Sequence, residues 1–385
     1  MSPSVGSSSR GWDVIVVGVG AMGSAIAYHA AARGLRVLAL EQFGLGHDRG
    51  SSHGLTRIIR LAYFEHPSYV PLLRRAFALW RALEADSGAS VLHITGSLDV
   101  GPAGSRVFEG SRASCVAHGL PHEVLDAAAL ARRVPAWRPA DDVCAVLQPD
   151  GGFLTPERAI VAHAQLARAH GADVREHVTA REWRVAGGEV HVHTDAGAFT
   201  AGQLVLSAGA WMATQHEVLR PRLSVERQVL GWFAIAPAAR AQYAPSAFPV
   251  FVLENADGLY YGFPEYEVPG FKIGCYHHLR ELVDPTVARR PCDARDEAVL
   301  RAAITRHFPD AGGALVRSST CLFTNTADEH FIIDRAPESP QVLLVSACSG
   351  HGFKFASVIG EVGADLLQHG TTAHDIAAFR LARLP

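Results

Sequence analysis

Three glycines carry the first chemistry that can be read from this chain. Gly18, Gly20 and Gly23 form G-x-G-x-x-G, with Ala21 and Met22 between the last two. In this spacing the first glycine makes a tight turn and the second admits a pyrophosphate close to the backbone. The third lets a helix pack against its strand. Glu41 lies 18 residues past Gly23, where a carboxylate accepts hydrogen bonds from ribose hydroxyls. The set describes a dinucleotide site and leaves NAD, NADP and FAD open. Arg57 and Arg60 stand in Thr56-Arg57-Ile58-Ile59-Arg60. Most arginine pairs are solvated, but this one follows directly on the nucleotide unit, and guanidinium groups grip carboxylates in a planar fork. Lys272 sits in a strand-like run opposite in face to Phe271 and Ile273. Its own pattern reads as a solvated strand lysine.

These residues need elements to hold them. Residues 14–17 are a short β-branched run, as in a strand buried on both faces. Residues 21–32 form a small-residue helix whose N-terminus would face phosphates, and 35–40 a second strand. The loop over 42–53 is dense in Gly, Asp and Ser and leads into Gly50-Ser51-Ser52-His53-Gly54. Apolar residues at helical spacing, from Tyr69 to Trp80, predict a helix over 67–83. A strand over 93–100 and helices over 107–118 and 127–133 make an insertion without a motif. Thr155 reads as an N-cap and Pro156 as the first residue of a helix reaching about 170. Strands follow at 173–176, 189–194 and 203–207. The last ends in Ala208-Gly209-Ala210-Trp211, a small-residue turn suited to close approach by a cofactor. Segments 230–235, 250–253, 259–263 and 271–276 read as an antiparallel sheet, and 285–308 as mostly helical. A buried strand over 342–346 leads into Ser349-Gly350-His351-Gly352-Phe353-Lys354-Phe355 and a helix to 367. This second strand, glycine turn and helix would direct positive helix dipole at a bound ring.

Length and composition set the bounds. A chain of 385 residues is long enough for two or three domains. Its apolar fraction of 48% and charged fraction of 19% fit a soluble globular protein. A net charge of −3 without a basic stripe argues against a nucleic-acid partner. No apolar run reaches the ~18 residues of a membrane span. Residues 1–12 are rich in Ser and Gly and lack an apolar core, so they read as a frayed tail and not a secretory signal. The cysteines at 115, 144, 275, 292, 321 and 348 contain no C-x-x-C and fit no zinc motif. A reducing cytoplasm, no disulfides and no metal are expected.

Six motifs in order make the chain resemble a known family. They are GVGAMG at 18–23, SHGLTRIIR at 52–60, YGFP at 261–264, FKIG at 271–274, CLFTNTADEHFIID at 321–334 and SGHGFKF at 349–355. The chain resembles the monomeric sarcosine oxidase and N-methyltryptophan oxidase group of D-amino-acid-oxidase-like flavoproteins. The resemblance implies FAD. It implies an α/β fold with a Rossmann-type FAD-binding domain from 1–90, 150–222 and 322–385. A substrate domain with a mixed or antiparallel sheet would come from 91–149 and 223–321. By position, Cys321 corresponds to a cysteine in thioether linkage to the flavin 8α-methyl, which calls for an electropositive setting. Lys272 corresponds to a lysine near flavin N5 that promotes reaction with O2, and this displaces its solvated reading. Arg57 corresponds to an arginine over the flavin face, and His53 to a histidine near the flavin. Arg60 and Lys354 correspond to the pair that binds the substrate carboxylate, with Glu65, Tyr261 and Phe323 in the same pocket. The implied FAD contacts are Gly18, Gly20, Ala21, Met22, Gly23, Glu41, Ser51, Ser52, Arg57, Ala208, Gly209, Trp211, Cys321, Gly350, Gly352, Phe353 and Lys354.

The chain departs from the family at three places. Phe323 stands where a Tyr is common. Tyr276 stands where a His is usual, with His277 and His278 adjacent as substitutes. Leu55 replaces an acid that sarcosine oxidases can carry. These changes bear on the substrate more than on the chemistry. The expected activity is oxidation of a secondary amine, N-methylated or cyclic, by hydride transfer to FAD. The imine hydrolyses and O2 becomes H2O2, in a monomeric cytoplasmic enzyme. The competing expectations are a flavin dehydrogenase passing electrons to a quinone or carrier protein, a nicotinamide dehydrogenase, and a flavin-binding sensor without turnover.

Overall fold

The computed structural model describes residues 11–287 and 290–385. The expected N-terminal tail lies outside them except for its end, where Trp12 opens the first strand. Two eight-stranded sheets and a three-stranded ribbon carry the chain. In the first sheet Trp12–Val17 lies between Val37–Leu40 and Gly197–Leu206, parallel to both. Asp173–Arg175 extends the sheet in parallel beyond Val37–Leu40, and Ser339–Ser346 in parallel beyond Gly197–Leu206. Ile332–Ala336 closes that edge antiparallel. The hairpin Ala180–Ala186 and Glu189–Thr194 pairs with the first half of Gly197–Leu206.

The apolar runs of these strands serve two cores at once. Val14, Val16, Val37, Ala39, Val205, Leu343 and Val345 point into one core, with helices Ala21–Ala32, Val70–Ser87, Pro156–Ala169 and Ala356–His369. Their neighbours Ile15, Val17, Leu38, Leu40, Leu204, Leu206, Val342 and Leu344 point into another on the opposite face. A strand covered on both sides has no need of polar alternation.

The second sheet runs in the order Leu315–Asn325, Ser224–Phe233, Phe271–Cys275, Gly258–Phe263, Val250–Asn255, Ser97–Pro102, Val143–Gln148, Glu123–Asp126. Its pairings are antiparallel except for Val250–Asn255 with Ser97–Pro102. One face packs Val229, Phe233, Phe251, Phe271 and Ile273 against Leu300 and Ile304 of helix Ala294–His307. The other face carries Leu230, Trp232, Tyr261, Phe263, Lys272, Cys321 and Phe323 toward the first layer. Leu315–Asn325 stays in this second sheet along its whole length, straddling the boundary expected at 321–322.

Four local expectations need correction. The strand expected over 93–100 is two strands, Leu92–Ile94 and Ser97–Pro102, in different sheets. The chain breaks between them because the amides of Thr95 and Gly96 both donate to Gly151 O. The helix expected from 285 begins at Ala294, where Asp293 and Asp296 form a reciprocal capping box; residues 288–289 of that range lie outside the described residues. The helix expected over 67–83 is a 3₁₀ turn, Pro67–Tyr69, followed by Val70–Ser87. Thr155 is the N-cap of helix Pro156–Ala169 as expected, but the side-chain cap bond is absent and its hydroxyl donates to Ser90 O at 3.1 Å.

Candidate active site

A cavity of about 910 Å³ runs between the two layers, from the first glycine turn to the turn at 346–354. Its dinucleotide end is built where Trp12–Val17 passes into helix Ala21–Ala32. Gly18, Gly20, Ala21, Met22 and Glu41 line it, with Ser51, Ser52, Ala208, Gly209 and Trp211. Gly23 does not line it. A Cβ there would lie 1.8 Å from Gly18 O and 2.6 Å from Ser207 Oγ, so this glycine serves helix-to-strand contact. The helix N-cap is Gly20, and no side chain occupies the first amides, which leaves them for an anion. Glu41 is buried and accepts from Val19 N at 2.8 Å and Phe43 N at 3.0 Å. Burial raises its pKa while those amides oppose the shift. Each oxygen keeps acceptor capacity for a ribose hydroxyl. Open helix amides and a fixed carboxylate in one elongated cavity fit an FAD.

The middle of the cavity is shaped by the loop around 50–57. Glu157 Oε1 accepts from Gly54 N at 2.6 Å and Leu55 N at 3.1 Å. Arg57 lines the cavity and donates back to Ser51 O at 2.8 Å and Thr56 O at 2.9 Å. Lys272 lies directly behind this loop. Its Nζ donates to Gly54 O at 2.7 Å, Thr56 O at 2.9 Å and Thr56 Oγ1 at 2.7 Å. The ammonium also stands over the Phe263 ring. The residue is 2% exposed, so the solvated reading fails. Period-2 alternation did place it opposite Phe271 and Ile273, but its face is covered by the first layer and not by water. Burial, then Arg57, pushes its pKa well down. Lys272 is not on the cavity wall itself. Neither is His53, which is buried with Nδ1 3.4 Å from Ser319 Oγ.

Cys321 lines the cavity from strand Leu315–Asn325 and is buried among Leu230, Trp232 and Phe323. Phe323, two residues on along the same face, also lines it. Opposite, Gly350 and Gly352 line the turn before the 3₁₀ segment Phe353–Phe355. Gly350 has φ +72°, and a Cβ there would fall 2.3 Å from Tyr276 Oη; the turn therefore requires glycine. Tyr276 donates to Ser349 O at 2.7 Å and ties the second sheet to this turn.

The remaining end of the cavity holds two buried cations. Arg60 Nη2 donates to both Glu65 oxygens, at 3.0 and 2.8 Å, and Nη1 donates to Ala62 O. The guanidinium lies between the Tyr63 and Phe64 rings, 4.7 and 4.6 Å from their centroids. Lys354 Nζ donates to His351 O at 2.8 Å and stands 5.3 Å from the same Tyr63 ring. Burial pushes Lys354 down to about 7, although Glu65 and Asp99 oppose the shift. Burial raises the Glu65 carboxyl, but Arg60, His351 and Lys354 together outweigh it and hold its pKa below the usual value. Tyr261 and Tyr276 line this space, and burial raises both phenols, which stay protonated.

Neither adjacent histidine substitutes for Tyr276. His277 turns away to Glu226 at 2.8 Å and Glu329 at 3.0 Å, and His278 to Asp296 at 2.9 Å. Hydrogen bonds from its ring nitrogens to those carboxylates raise His277 to about 9. Sequence reasoning missed Glu157, Tyr63, His351 and Asp99. Glu157 read only as part of a helix start. Asp99 had a signal, a lone acid in the apolar run Ser97-Leu98-Asp99-Val100. Among the described residues no group of three or more His, Cys, Asp and Glu is placed to hold a metal. No described helix is long and apolar enough to cross a membrane.

The comparisons agree with this geometry. A family model described as FAD dependent oxidoreductase matches residues 13–366. The chain is 41% identical over 382 residues to a monomeric sarcosine oxidase of Streptomyces avermitilis, covering 97% of this chain and 99% of that one. It is 36% identical over 379 residues to an N-methyl-L-tryptophan oxidase of Yersinia pestis, covering 97% and 99%. Among solved structures, NikD, an unusual amino acid oxidase essential for nikkomycin biosynthesis, matches with a TM-score of 0.81 at 28% identity. That match covers 96% of this chain and 97% of NikD.

Proposed function

The chain belongs to the FAD dependent oxidoreductases, with the monomeric sarcosine and N-methyl-L-tryptophan oxidases as relatives, and from that premise we propose an oxidase of N-methylated or cyclic amino acids. One observation carries the reading. The buried cations Arg60 and Lys354 stand against one ring, in the same cavity as an open dinucleotide turn. FAD, when bound, accepts a hydride from the carbon beside the substrate nitrogen and returns the electron pair to O2 as H2O2, while the imine product hydrolyses.

The chain's own residues supply binding, orientation and charge. Arg60 holds the substrate carboxylate by its guanidinium charge, with Glu65 staying on Nη2. A carboxylate beside Lys354 raises its pKa from about 7 and so gains an ammonium partner. With both ends of the carboxylate fixed, the carbon next to nitrogen is presented in one orientation. Tyr261 and Tyr276 remain protonated, so neither takes a proton from the amine, which reacts in its neutral form. Cys321 is the proposed point of thioether attachment, and its position on the cavity wall supports this. Lys272, behind the loop of 54–57, supplies positive charge next to the site where O2 takes up electrons. The relatives named monomeric sarcosine oxidase support a monomer.

The test is an anaerobic screen in which bleaching of the yellow protein is followed with sarcosine, larger N-methyl amino acids, proline and pipecolate. Bleaching by at least one of these, followed by peroxide on admission of air, is expected. Bleaching without peroxide would replace the oxidase with a dehydrogenase. If no amine bleaches the flavin, the reading fails.

A further inference from the structure

Asp99 has no place in the scheme above, yet it is the most unusual carboxylate in the molecule. It lies mid-strand in Ser97–Pro102 and is 0% exposed. Neither carboxylate oxygen has a hydrogen bond of ordinary geometry, and the Ser111 hydroxyl is the group that faces it. Buried charges without hydrogen bonds are costly and need a reason. The strands on either side offer only Val146 and Val252 as direct partners. Helix Arg106–His118 contributes the Ser111 hydroxyl and the Cys115 thiol. The one close ion is Arg60, whose Nε is 3.6 Å from Asp99 Oδ1. Glu65 and Lys354 act on Asp99 from further off.

Every nitrogen of Arg60 is thus engaged. Nε faces Asp99, Nη1 holds Ala62 O and Nη2 holds Glu65. The buried cluster counts two cations, Arg60 and Lys354, against two carboxylates, Glu65 and Asp99. A substrate carboxylate adds a third negative charge beside these buried groups. A proton taken up by Asp99, or by Lys354 where that amine is neutral, offsets the added charge. Glu65 is held below its usual value by Arg60, His351 and Lys354 together. Asp99 is pushed up to about 7 by burial, with Glu65 adding to the rise and Arg60 opposing it.

We propose that Asp99 is a positioning residue that fixes the far edge of Arg60 and takes up one proton when a carboxylate binds at the near edge. The inference rests on reading Arg60 and Lys354 as the carboxylate site. It makes carboxylate capture proton-coupled. Affinity for an amine-free carboxylate falls as pH rises above the range in which Asp99 loses its proton. Lys354 titrates in the same range, so it must be separated from Asp99. Lys354→Arg keeps that cation charged and leaves Asp99 as the titrating group.

The experiment uses the oxidised holoenzyme with acetate, benzoate and indole-3-acetate. Binding is read from the flavin spectrum, and proton uptake from calorimetry in two buffers of different ionisation enthalpy. At pH 8 the Lys354→Arg protein is expected to take up close to one proton per carboxylate bound. Asp99→Asn in that background abolishes the uptake and binds at least about tenfold tighter at pH 9. Independently of any variant, the infrared difference spectrum of the unmutated protein gains a protonated-carboxyl C=O stretch on binding. Equal uptake with and without Asp99, or no new carboxyl band, overturns the proposal. Failure of all three carboxylates to bind the unmutated protein overturns instead the carboxylate site beneath it.

Discussion

Cys321 and Lys272 test the chemistry at the level of single side chains. Cys321 lines the cavity beside Phe323 and is 1% exposed. If it carries the flavin, acid-precipitated protein stays yellow and Cys321→Ala releases its FAD to the supernatant. Free FAD from the unmutated protein would remove the linkage. Lys272 donates three hydrogen bonds to the loop at 54–56. Lys272→Met leaves those acceptors unpaired, at a cost of about 1–3 kcal/mol. It should slow reoxidation by O2 by at least about tenfold and change substrate reduction far less. Because burial lowers the Lys272 pKa, its positive charge is present at low pH and lost as pH rises. The reoxidation rate of the unmutated protein should fall in that direction, and that of Lys272→Met should not. Equal pH profiles would show that the lysine only supports the loop.

Two elements make equally definite predictions. The first glycine turn depends on Gly23, where an added methyl would lie 1.8 Å from Gly18 O. Gly23→Ala must open the turn and push helix Ala21–Ala32 off its strand. Overpacking of this kind costs about 1–3 kcal/mol or more. The purified variant should carry little FAD by absorbance, and full loading would contradict the geometry. The second element is the segment after strand Phe271–Cys275, which His277 clamps to Glu226 and Glu329. Its folded pKa of about 9 lies above the unfolded value of 6.5. The clamp therefore stabilises fully below about pH 6.5 and is lost as pH rises through 9. The shift sets a ceiling of roughly 3 kcal/mol, which solvent screening at the half-exposed Glu329 cuts to on the order of 1. Thermal melts should show this loss between pH 6 and 10, and His277→Gln should flatten it.

At the scale of the whole molecule, the cavity joins the two layers, and its occupant contacts both. Residues from Gly18 to Lys354 line one space. FAD removal should therefore lower the stability of the entire chain and not of one layer. Occupancy at 100 to 1,000 times Kd contributes about 3–4 kcal/mol, or roughly 3–5 °C in Tm for a chain of 385 residues melting as one unit. The Cys321→Ala protein, stripped by dialysis, should melt lower by about that amount and recover when FAD is added back. A melting curve unchanged by FAD would mean the layers are held together without it.

The dinucleotide turn was fully legible in the sequence, because its requirements are local. Gly18, Gly20, Gly23 and Glu41 lie within one strand–helix–strand unit, and sterics alone dictate them. The apolar runs likewise announced strands covered on both faces. Lys272 shows where local reading stops. Alternation gave its side of the strand, but only the docking of the first layer made that side dry. The motif resemblance implied a place for it near the flavin without supplying its partners. Tyr276 was noted as a departure, yet only the fold turned His277 and His278 away to distant carboxylates. Asp99 and Arg60 lie 39 positions apart in the chain, and no periodicity links them. Burial and charge pairing are properties of the assembled layers, so the acid behind the arginine became visible only in three dimensions.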